Sequence, residues 1–328
     1  MKQLAIRSVT NFAAVLNAAL GPVRTWRRDQ AHILMYHRVV PMTPGVPAPT
    51  LNVTPRAFRQ QVAGLLRRGY RITPLSKIVE ASVNGESLPA KSLAITFDDG
   101  YENMYTRVFP VVKEFSAPIT IFVCTKWLGT DAPMHFDEWG IRHRDQLAPE
   151  CYRPLTWEQC REMSESGLVE IAAHTHSHND FRDAPRELQL DMRECLQLLK
   201  SELQIECPNF AFPFGRMDEG FATAEMAELV RQSGVASALT TEPGPVELST
   251  SPFLWGRNNV FPWDSAATID ARLAGWYQWL PRLRRRLRRV FGLAKHPVQS
   301  ALSHEPTPDN QMQDAATNPN AIRDGVEL

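Results

Sequence analysis

Several features that would place this chain in a specialised class of protein are missing from its 328 residues. The five cysteines are an odd number without a Cys-x-x-Cys pair, which argues against a disulfide framework and a thiolate zinc site. We therefore expect reduced thiols in the core of a cytoplasmic protein. Basic and acidic residues number 36 each, so no excess of positive charge favours nucleic acid as a partner.

The chain also has little that could cross a membrane. Its N-terminal apolar stretch, Phe12–Leu20, is interrupted by Asn17 and is shorter than the roughly 20 residues that a spanning helix needs. Lys2 and Arg7 resemble the start of a signal peptide, but three arginines follow the stretch closely. We expect residues 1–30 to form an amphipathic helix, either on a membrane or packed on the domain, with a cleaved signal as the alternative.

Short apolar strands alternate with amphipathic helices along most of the chain. His32–His37 and Ile119–Cys124 have the character of buried strands, whereas Pro185–Leu203 has a helical period. Repeated strand–helix units predict a parallel sheet. So many units in one domain predict an α/β fold that closes or nearly closes into a (β/α) barrel, with catalytic groups at the C-terminal strand ends.

Three segments carry specific expectations. Tyr101–Phe115 should be a helix that is kinked at Pro110, because proline lacks the N–H that a helix interior requires. Phe253–Val260 should be one late strand. Thr125–Pro154 has no clear period, and segments of this kind are usually functional or mobile.

Two polar clusters follow predicted strands. Asp98 and Asp99 end an apolar strand, and neighbouring side chains on extended backbone point to opposite sides. One carboxylate could act as a base and the other as a metal ligand, although Asp-Gly is also common in surface turns.

The second cluster has three histidines within five residues. With a carboxylate, two imidazoles suit a divalent metal such as catalytic zinc. His174 and His178 would face one way on a helical turn, whereas His174 and His176 would do so on an extended backbone. Spacing does not decide between these pairs, and an exposed polar turn is the alternative.

The two clusters together resemble the motifs of the polysaccharide deacetylases, carbohydrate esterase family four with its NodB-homology domain. The matching sequences are TFDDG at residues 96–100 and HTxxH at residues 174–178, and the similarity covers roughly residues 31–265. The pair in this order and spacing is specific, whereas each motif alone is weak. The resemblance implies a distorted (β/α) barrel that removes acetyl groups from N-acetylated sugars.

Carried over residue by residue, the resemblance implies a role for each polar side chain. Asp99, His174 and His178 would hold Zn²⁺ or another divalent transition metal, and Asp98 would be the general base. His176 would then have no role as a ligand. An N-acetylated carbohydrate would be the substrate.

The chain departs from the family pattern where many members have an arginine that orients the base. Residues 210–215, FAFPFG, contain none, so Arg257 is a candidate substitute, with a structural arginine as the alternative. Pro213 and Gly215 preserve the turn, which leaves the N–H of Phe214 as a candidate oxyanion donor.

A second departure concerns the general acid, because the family's Leu-x-His motif is not visible near the end of the domain. Residues 34–39, LMYHRV, instead resemble the N-terminal motif of a subgroup that includes bacterial poly-N-acetylglucosamine deacetylases. In that subgroup the histidine is the acid, so His37 inherits the role. A structural, hydrogen-bonding histidine is the alternative.

The C-terminal part of the chain changes in composition. We expect residues 31–278 to be the catalytic domain, 279–296 a basic amphipathic segment and 297–328 a disordered tail. The aromatic and arginine-rich Trp276–Phe291 would suit an anionic membrane surface, as would the N-terminal helix, and a solvated helix end is the alternative.

Three functions are compatible with these residues. The leading hypothesis is metal-dependent hydrolysis of an N-acetyl group from an amino sugar in a bacterial polysaccharide, exopolysaccharide or lipid-linked glycan precursor. An O-acetyl esterase or another amidohydrolase on the same fold, and a non-catalytic glycan-binding relative, are the alternatives. We expect a cytoplasmic location, with peripheral contact at the inner membrane, and a periplasmic location is the alternative.

Overall fold

A computed structural model describes residues 2–21, 25–49, 51–206 and 208–276. The predicted basic segment and the predicted tail therefore lie outside the described residues. The four cysteines within them are buried free thiols, as predicted, and they are Cys124, Cys151, Cys160 and Cys195. Within the same residues, no helix is both long enough and apolar enough to cross a membrane.

The alternation of strands and helices is confirmed. The helices are α1 (Lys2–Leu20), α2 (Pro55–Arg67), α3 (Leu75–Asn84), α4 (Phe109–Phe115), α5 (Glu138–His143), α6 (Trp157–Glu165), α7 (Pro185–Leu203), α8 (Ala224–Gln232) and α9 (Ala266–Leu273). The strands are β1 (Gln30–Tyr36), β2 (Arg38–Val39), β3 (Asn52–Val53), β4 (Arg71–Ile72), β5 (Ser92–Phe97), β6 (Ile119–Val123), β7 (Val169–Ala173), β8 (Asn209–Ala211), β9 (Ser237–Leu239), β10 (Val246–Glu247), β11 (Phe253–Trp255) and β12 (Asn258–Asn259).

One helix differs from its prediction. A π-helical turn, Met104–Val108, precedes α4, so Pro110 lies in the first turn of α4. Proline is tolerated at that position because the first N–H groups of a helix have no intrahelical partner. The expected kink in the interior of one continuous helix is therefore wrong.

The main sheet forms a nearly closed barrel, as predicted. Its strand order is β10-β1-β5-β6-β7-β8-β9-β11. Strand β12 pairs with β1 on the edge that faces away from β5. Every pairing in this barrel is parallel except that of the short β10 with β1. The barrel therefore closes through one segment of chain, because β11 pairs with β9 and β12 pairs with β1.

The closing segment is broken, whereas one continuous strand was expected. Gly256 and Arg257 separate β11 from β12. A Cβ atom on Gly256 would lie 2.0 Å from the carbonyl oxygen of Glu242, so only glycine fits at this crossing. The break turns the Arg257 side chain into the barrel, where it is fully buried.

Alternate strand residues pack into two separate cores, as the two-residue period of a strand requires. Ile33, Ala94 and Phe122 belong to a cluster that also contains Leu75 and Ile78 of α3. Their neighbours along the strands, including Leu34, Ile95 and Ile121, pack with residues of α2, α6, α7, α8 and α9. The inner core is thus in contact with α3, and the outer core holds the surrounding helices.

A buried ion pair attaches the long aperiodic segment to the barrel. Arg38, the first residue of β2, pairs with Asp137, and both side chains are less than a tenth exposed. The Arg38 guanidinium also donates to the carbonyl oxygen of Cys151 at 3.2 Å and lies 3.9 Å from the ring centre of Tyr101. The segment 125–154 is thereby anchored beside the carboxyl ends of β1 and β5.

We expect Arg38→Gln to lower the free energy of unfolding by about 3–5 kcal/mol, because it leaves the Asp137 carboxylate buried without its partner. Arg107→Gln is the matched control, since Arg107 pairs with Glu150 of the same segment but is 44% exposed. That control should cost about 1 kcal/mol or less. Urea unfolding measures both values, and equal losses would contradict a special role for the buried pair.

Candidate active site

The predicted site residues meet at the carboxyl ends of the strands. His37 follows β1, Asp98 and Asp99 follow β5, and His174 follows β7. Four residues of this region have the left-handed backbone conformation, with φ between 61° and 75°; they are Asp99, Thr175, His178 and Phe214. Such backbone strain in residues other than glycine collects at functional sites, where the surrounding structure enforces it.

Asp99, His174 and His178 form a cluster that could hold a metal ion. Oδ1 of Asp99 lies 3.6 Å from Nε2 of each histidine, and all three residues are buried. Ligands about 2.0–2.1 Å from a tetrahedral ion are separated by about 3.3 Å, so the cluster fits such an ion closely. The predicted pair is therefore His174 with His178.

Neighbouring groups orient the two imidazoles. Nδ1 of His174 lies 2.7 Å from the carbonyl oxygen of Ala211, so the N–H is on Nδ1 and Nε2 is free to bind a metal. The His178 ring stacks on Phe136 with ring centres 3.8 Å apart and contacts the edge of Phe214 at 4.9 Å. Burial lowers the pKa of both histidines, so both are neutral and suited to coordination.

His176 lies outside the cluster, as the resemblance implied. Its Nδ1 lies 3.0 Å from Oγ1 of Thr125, and its Nε2 lies 3.3 Å from Glu194. The carboxylate of Asp191 accepts hydrogen bonds from the backbone N–H groups of His176 and Ser177. These bonds fix a turn that is neither helical nor extended, so neither regular pattern could have identified the pair from spacing alone.

Asp98 is held by Arg257, the substitute that the sequence suggested. Nη1 and Nη2 of Arg257 donate to Oδ1 and Oδ2 of Asp98 at 2.5 and 2.8 Å. Nε of Arg257 donates to the carbonyl oxygen of Thr240 at 3.1 Å, which fixes the guanidinium plane. Burial alone would raise the pKa of Asp98, but Arg257, with smaller contributions from the histidines, more than offsets this effect and lowers the pKa to about 2.

The neighbouring carboxyl has the opposite electrostatic environment. Burial and the charge of Asp98 raise the pKa of Asp99 to about 8, and the more distant Arg38 offsets this only in part. The pKa values of these two adjacent aspartates therefore differ strongly, because Asp98 contacts a guanidinium and Asp99 does not. At neutral pH the metal-free site holds Asp98 ionised and Asp99 mostly protonated.

His37 and Phe214 complete the site. Nε2 of His37 lies 4.0 Å from Oδ2 of Asp98, and the side chain is 22% exposed, so solvent or a ligand can reach it. Burial lowers the pKa of His37 to about 4. The N–H of Phe214 donates no hydrogen bond within the described residues and lies in the turn that Gly215 closes.

The sequence did not identify four residues that shape the site. They are Arg38, Phe136, Asp137 and Asp191, and three of them lie in segments to which no motif was assigned. The one clue in the sequence was Arg38, which directly follows His37. A charged residue at the end of a buried strand requires a partner of opposite charge, and that partner is Asp137.

Part of this chain is similar in sequence and fold to known proteins. Residues 85–235 match the family model of the polysaccharide deacetylases. The poly-β-1,6-N-acetyl-D-glucosamine N-deacetylase of Escherichia coli K12 is 29% identical over 239 residues, which cover 62% of this chain and 34% of that protein. The chain thus spans about a third of the length of this relative.

Two further proteins are similar over most of their length. The Bacillus subtilis protein YxkH is 26% identical over 252 residues, which cover 76% of this chain and 78% of that protein. The solved structure of IcaB from Ammonifex degensii aligns with a TM-score of 0.61 and 26% identity, covering 76% of this chain and 98% of that one. The predicted barrel fold is confirmed by this likeness.

We expect Arg257→Gln to lower the free energy of unfolding by about 3–5 kcal/mol at neutral pH, because it leaves Asp98 charged and buried. Adding Asp98→Asn should restore part of this loss by removing the charge. Urea unfolding of the two single variants and the double variant tests the coupling. A double variant that is no more stable than Arg257→Gln would contradict it.

The same pair has a defined pH dependence. The folded-state pKa of Asp98, about 2, lies below the ordinary value of about 4. Its ionised form therefore contributes stability above about pH 4, and the contribution is lost as the pH falls towards 2.

Metal binding should release close to one proton per ion at about pH 6, because Asp99, with a pKa of about 8, must ionise to coordinate. The two histidines are already neutral there. Calorimetry in buffers of different ionisation enthalpy measures the proton count, with Asp99→Asn as the control that removes the ionising group. Release of no proton would mean that Asp99 is already ionised in the metal-free site.

Proposed function

From the polysaccharide deacetylase domain that this chain contains over residues 85–235, we propose that it hydrolyses the N-acetyl group of an amino sugar in a polysaccharide. The carrying observation is the ionised Asp98, locked by a buried arginine beside a cluster of one carboxylate and two neutral imidazoles. Metal-assisted hydrolysis typically uses a carboxylate base next to a metal-binding group.

Poly-β-1,6-linked N-acetylglucosamine is the substrate that we propose. The Escherichia coli relative is a poly-β-1,6-N-acetyl-D-glucosamine N-deacetylase, which supports this polymer as the substrate. The site also has the general form of a ligand pocket, a polar floor with an apolar rim. The half-buried rings of Phe136 and Phe214 contact His178, and the half-buried ring of Phe221 contacts Phe214. These rings would pack against the faces of a sugar ring.

Zn²⁺ is the ion that we propose for the cluster of Asp99, His174 and His178. Two imidazole nitrogens and one carboxylate oxygen are ligands that zinc accepts, and three protein ligands are typical of its catalytic sites. When bound, the ion would supply Lewis acidity that makes water a stronger acid and polarises the acetyl carbonyl.

Asp98 would accept a proton from the attacking water. Its pKa of about 2 keeps it ionised across the useful pH range but makes it a weak base. It can therefore accept a proton only from water that is more acidic than bulk water. This explains why Asp98 lies next to the metal-binding cluster. The bidentate contact with Arg257 fixes the carboxylate plane throughout the step.

His37 would return that proton to the departing nitrogen. The gap of 4.0 Å between Asp98 and His37 is short enough to close by a small side-chain movement. Charge that develops on the acetyl oxygen favours the protonated imidazole, which then donates as the carbon–nitrogen bond breaks. The N–H of Phe214 would donate to the same oxygen.

Acetate release from N-acetylglucosamine oligomers by the zinc-loaded protein tests the proposal. Asp98→Asn and His37→Ala should each lower kcat by about 10²-fold or more while metal content stays unchanged. His178→Ala should lose the metal. His176→Ala is the matched control, since this histidine belongs to the same turn but contacts Thr125 and Glu194, and it should keep most of the activity.

Each other outcome has a defined meaning. Full activity of His37→Ala would remove its role as the acid. Release of acetate from acetylated xylan but not from the oligomers would identify an O-acetyl esterase. A zinc-loaded wild type that releases nothing from either would overturn catalysis on these substrates.

A further inference from the structure

A second, unassigned pocket lies at the opposite end of the barrel from the site. Its volume is about 640 Å³, and four of its eight lining residues are the cations Arg28, Arg68, Arg71 and Lys91. None of the lining residues is acidic. Arg71 begins β4 and Lys91 directly precedes β5, so the pocket lies at the amino ends of strands whose carboxyl ends carry the catalytic groups.

Most of the charge in this pocket is not neutralised by the protein. Within the described residues, Arg28 and Arg71 form no ion pair, and both are exposed. Arg68 is 3.8 Å from Asp270 and is 36% exposed, so that contact is weak. Lys91 lies over the rings of Trp26 and Tyr70, and its ammonium donates to a backbone carbonyl. The pocket therefore suits an anion.

Helix α1 presents apolar side chains to solvent beside this pocket. Val9, Phe12, Val15 and Leu20 are 40%, 65%, 64% and 73% exposed. Among the described side chains of α1, Ala13 is buried and Asn17 contacts Asp270 of α9. An exposed apolar row of this kind is unusual on a soluble surface and is typical of a helix that lies in a membrane interface.

The helix and the pocket are joined by a short chain of contacts. Asn17 of α1 donates to Asp270 at 2.8 Å, and the hydroxyl of Tyr70 donates to the same carboxylate at 2.9 Å. Tyr70 contacts the edge of Trp26, which lines the pocket, with ring centres 5.3 Å apart. Contacts through Asp270, Tyr70 and Trp26 thus connect α1 with the pocket.

Trp276 also contacts the end of α1, and basic residues follow it in the sequence. The indole N–H of Trp276 bonds to Asn17 and to the carbonyl oxygen of Gly21, at the end of α1. Six arginines follow in the sequence between residues 282 and 289. In the sequence these arginines begin six residues after Trp276, and their charge suits the same anionic partner.

We propose that α1 and the cationic pocket bind the surface of an anionic phospholipid bilayer, with the apolar row in the interface and the phosphate groups in the pocket. Apolar burial and cation–phosphate attraction together provide the two signals that stable peripheral binding needs. The seven residues of β1 then separate the bilayer from the catalytic end by about 23 Å. The polysaccharide site faces away from the membrane.

Co-sedimentation of the full chain with vesicles tests this proposal. Vesicles of phosphatidylglycerol and phosphatidylcholine should bind the protein, and salt should weaken binding. Pure phosphatidylcholine vesicles should bind much less. Arg28→Gln with Arg71→Gln should weaken binding by about fivefold for each charge removed. Phe12→Gln with Val15→Gln should weaken it about tenfold or more.

A matched pair on another helix controls for surface changes in general. Leu190→Gln with Arg193→Gln removes one exposed apolar side chain and one exposed arginine from α7. This variant should bind like the wild type. Unchanged thermal midpoints for all variants would show that α1 still folds onto α9. The assay needs no catalytic activity, so its outcome is independent of the proposed function.

Two results would overturn the proposal. One is equal weakening by the α7 variant, which would mean that binding is not specific to α1 and the pocket. The other is tight binding of inorganic phosphate or diphosphate in calorimetry without binding to vesicles, which would make the pocket a site for a soluble anion.

Discussion

The Asp98 carboxylate and the segment that closes the barrel meet in one contact, the buried pair of Asp98 and Arg257. The two residues are 159 positions apart, one after β5 and the other in the break between β11 and β12. A carboxylate buried this deeply would be neutral without a partner. The strand breaks at Gly256, next to the point where Arg257 turns into the barrel. The irregular backbone and the buried ion pair therefore have one cause.

The pair also explains how the chain manages without an arginine in the segment FAFPFG. What a buried carboxylate such as Asp98 requires is a fixed positive charge in bidentate geometry, not an arginine at one place in the sequence. The carboxyl ends of parallel barrel strands converge on one region, so a neighbouring element can deliver the same group. Here the closing segment delivers it, and Thr240 holds it in place.

Much of the fold could be predicted because it follows from local rules. The bounds of α7 agree with those expected, and Thr156 caps α6 through a capping box. The features that could not be predicted depend on contacts between distant segments. The pairing of His174 with His178 requires a turn held by Asp191, and the Arg38–Asp137 pair brings Phe136 onto His178. The predicted domain limits and the assigned catalytic roles stay predictions.

The two ends of β1 and β5 are chemically distinct, because the strands are parallel and their carboxyl ends therefore meet at one end of the barrel. At the carboxyl ends, Arg257 more than offsets the effect of burial and lowers the pKa of Asp98, whereas burial and the charge of Asp98 raise the pKa of Asp99. At the amino ends, Arg28 and Arg71 are exposed and form no ion pair within the described residues. Buried charge must be paired within the protein, whereas exposed charge is free to be paired by a partner. The same strands would therefore carry the proposed reaction centre at one end and the proposed attachment surface at the other.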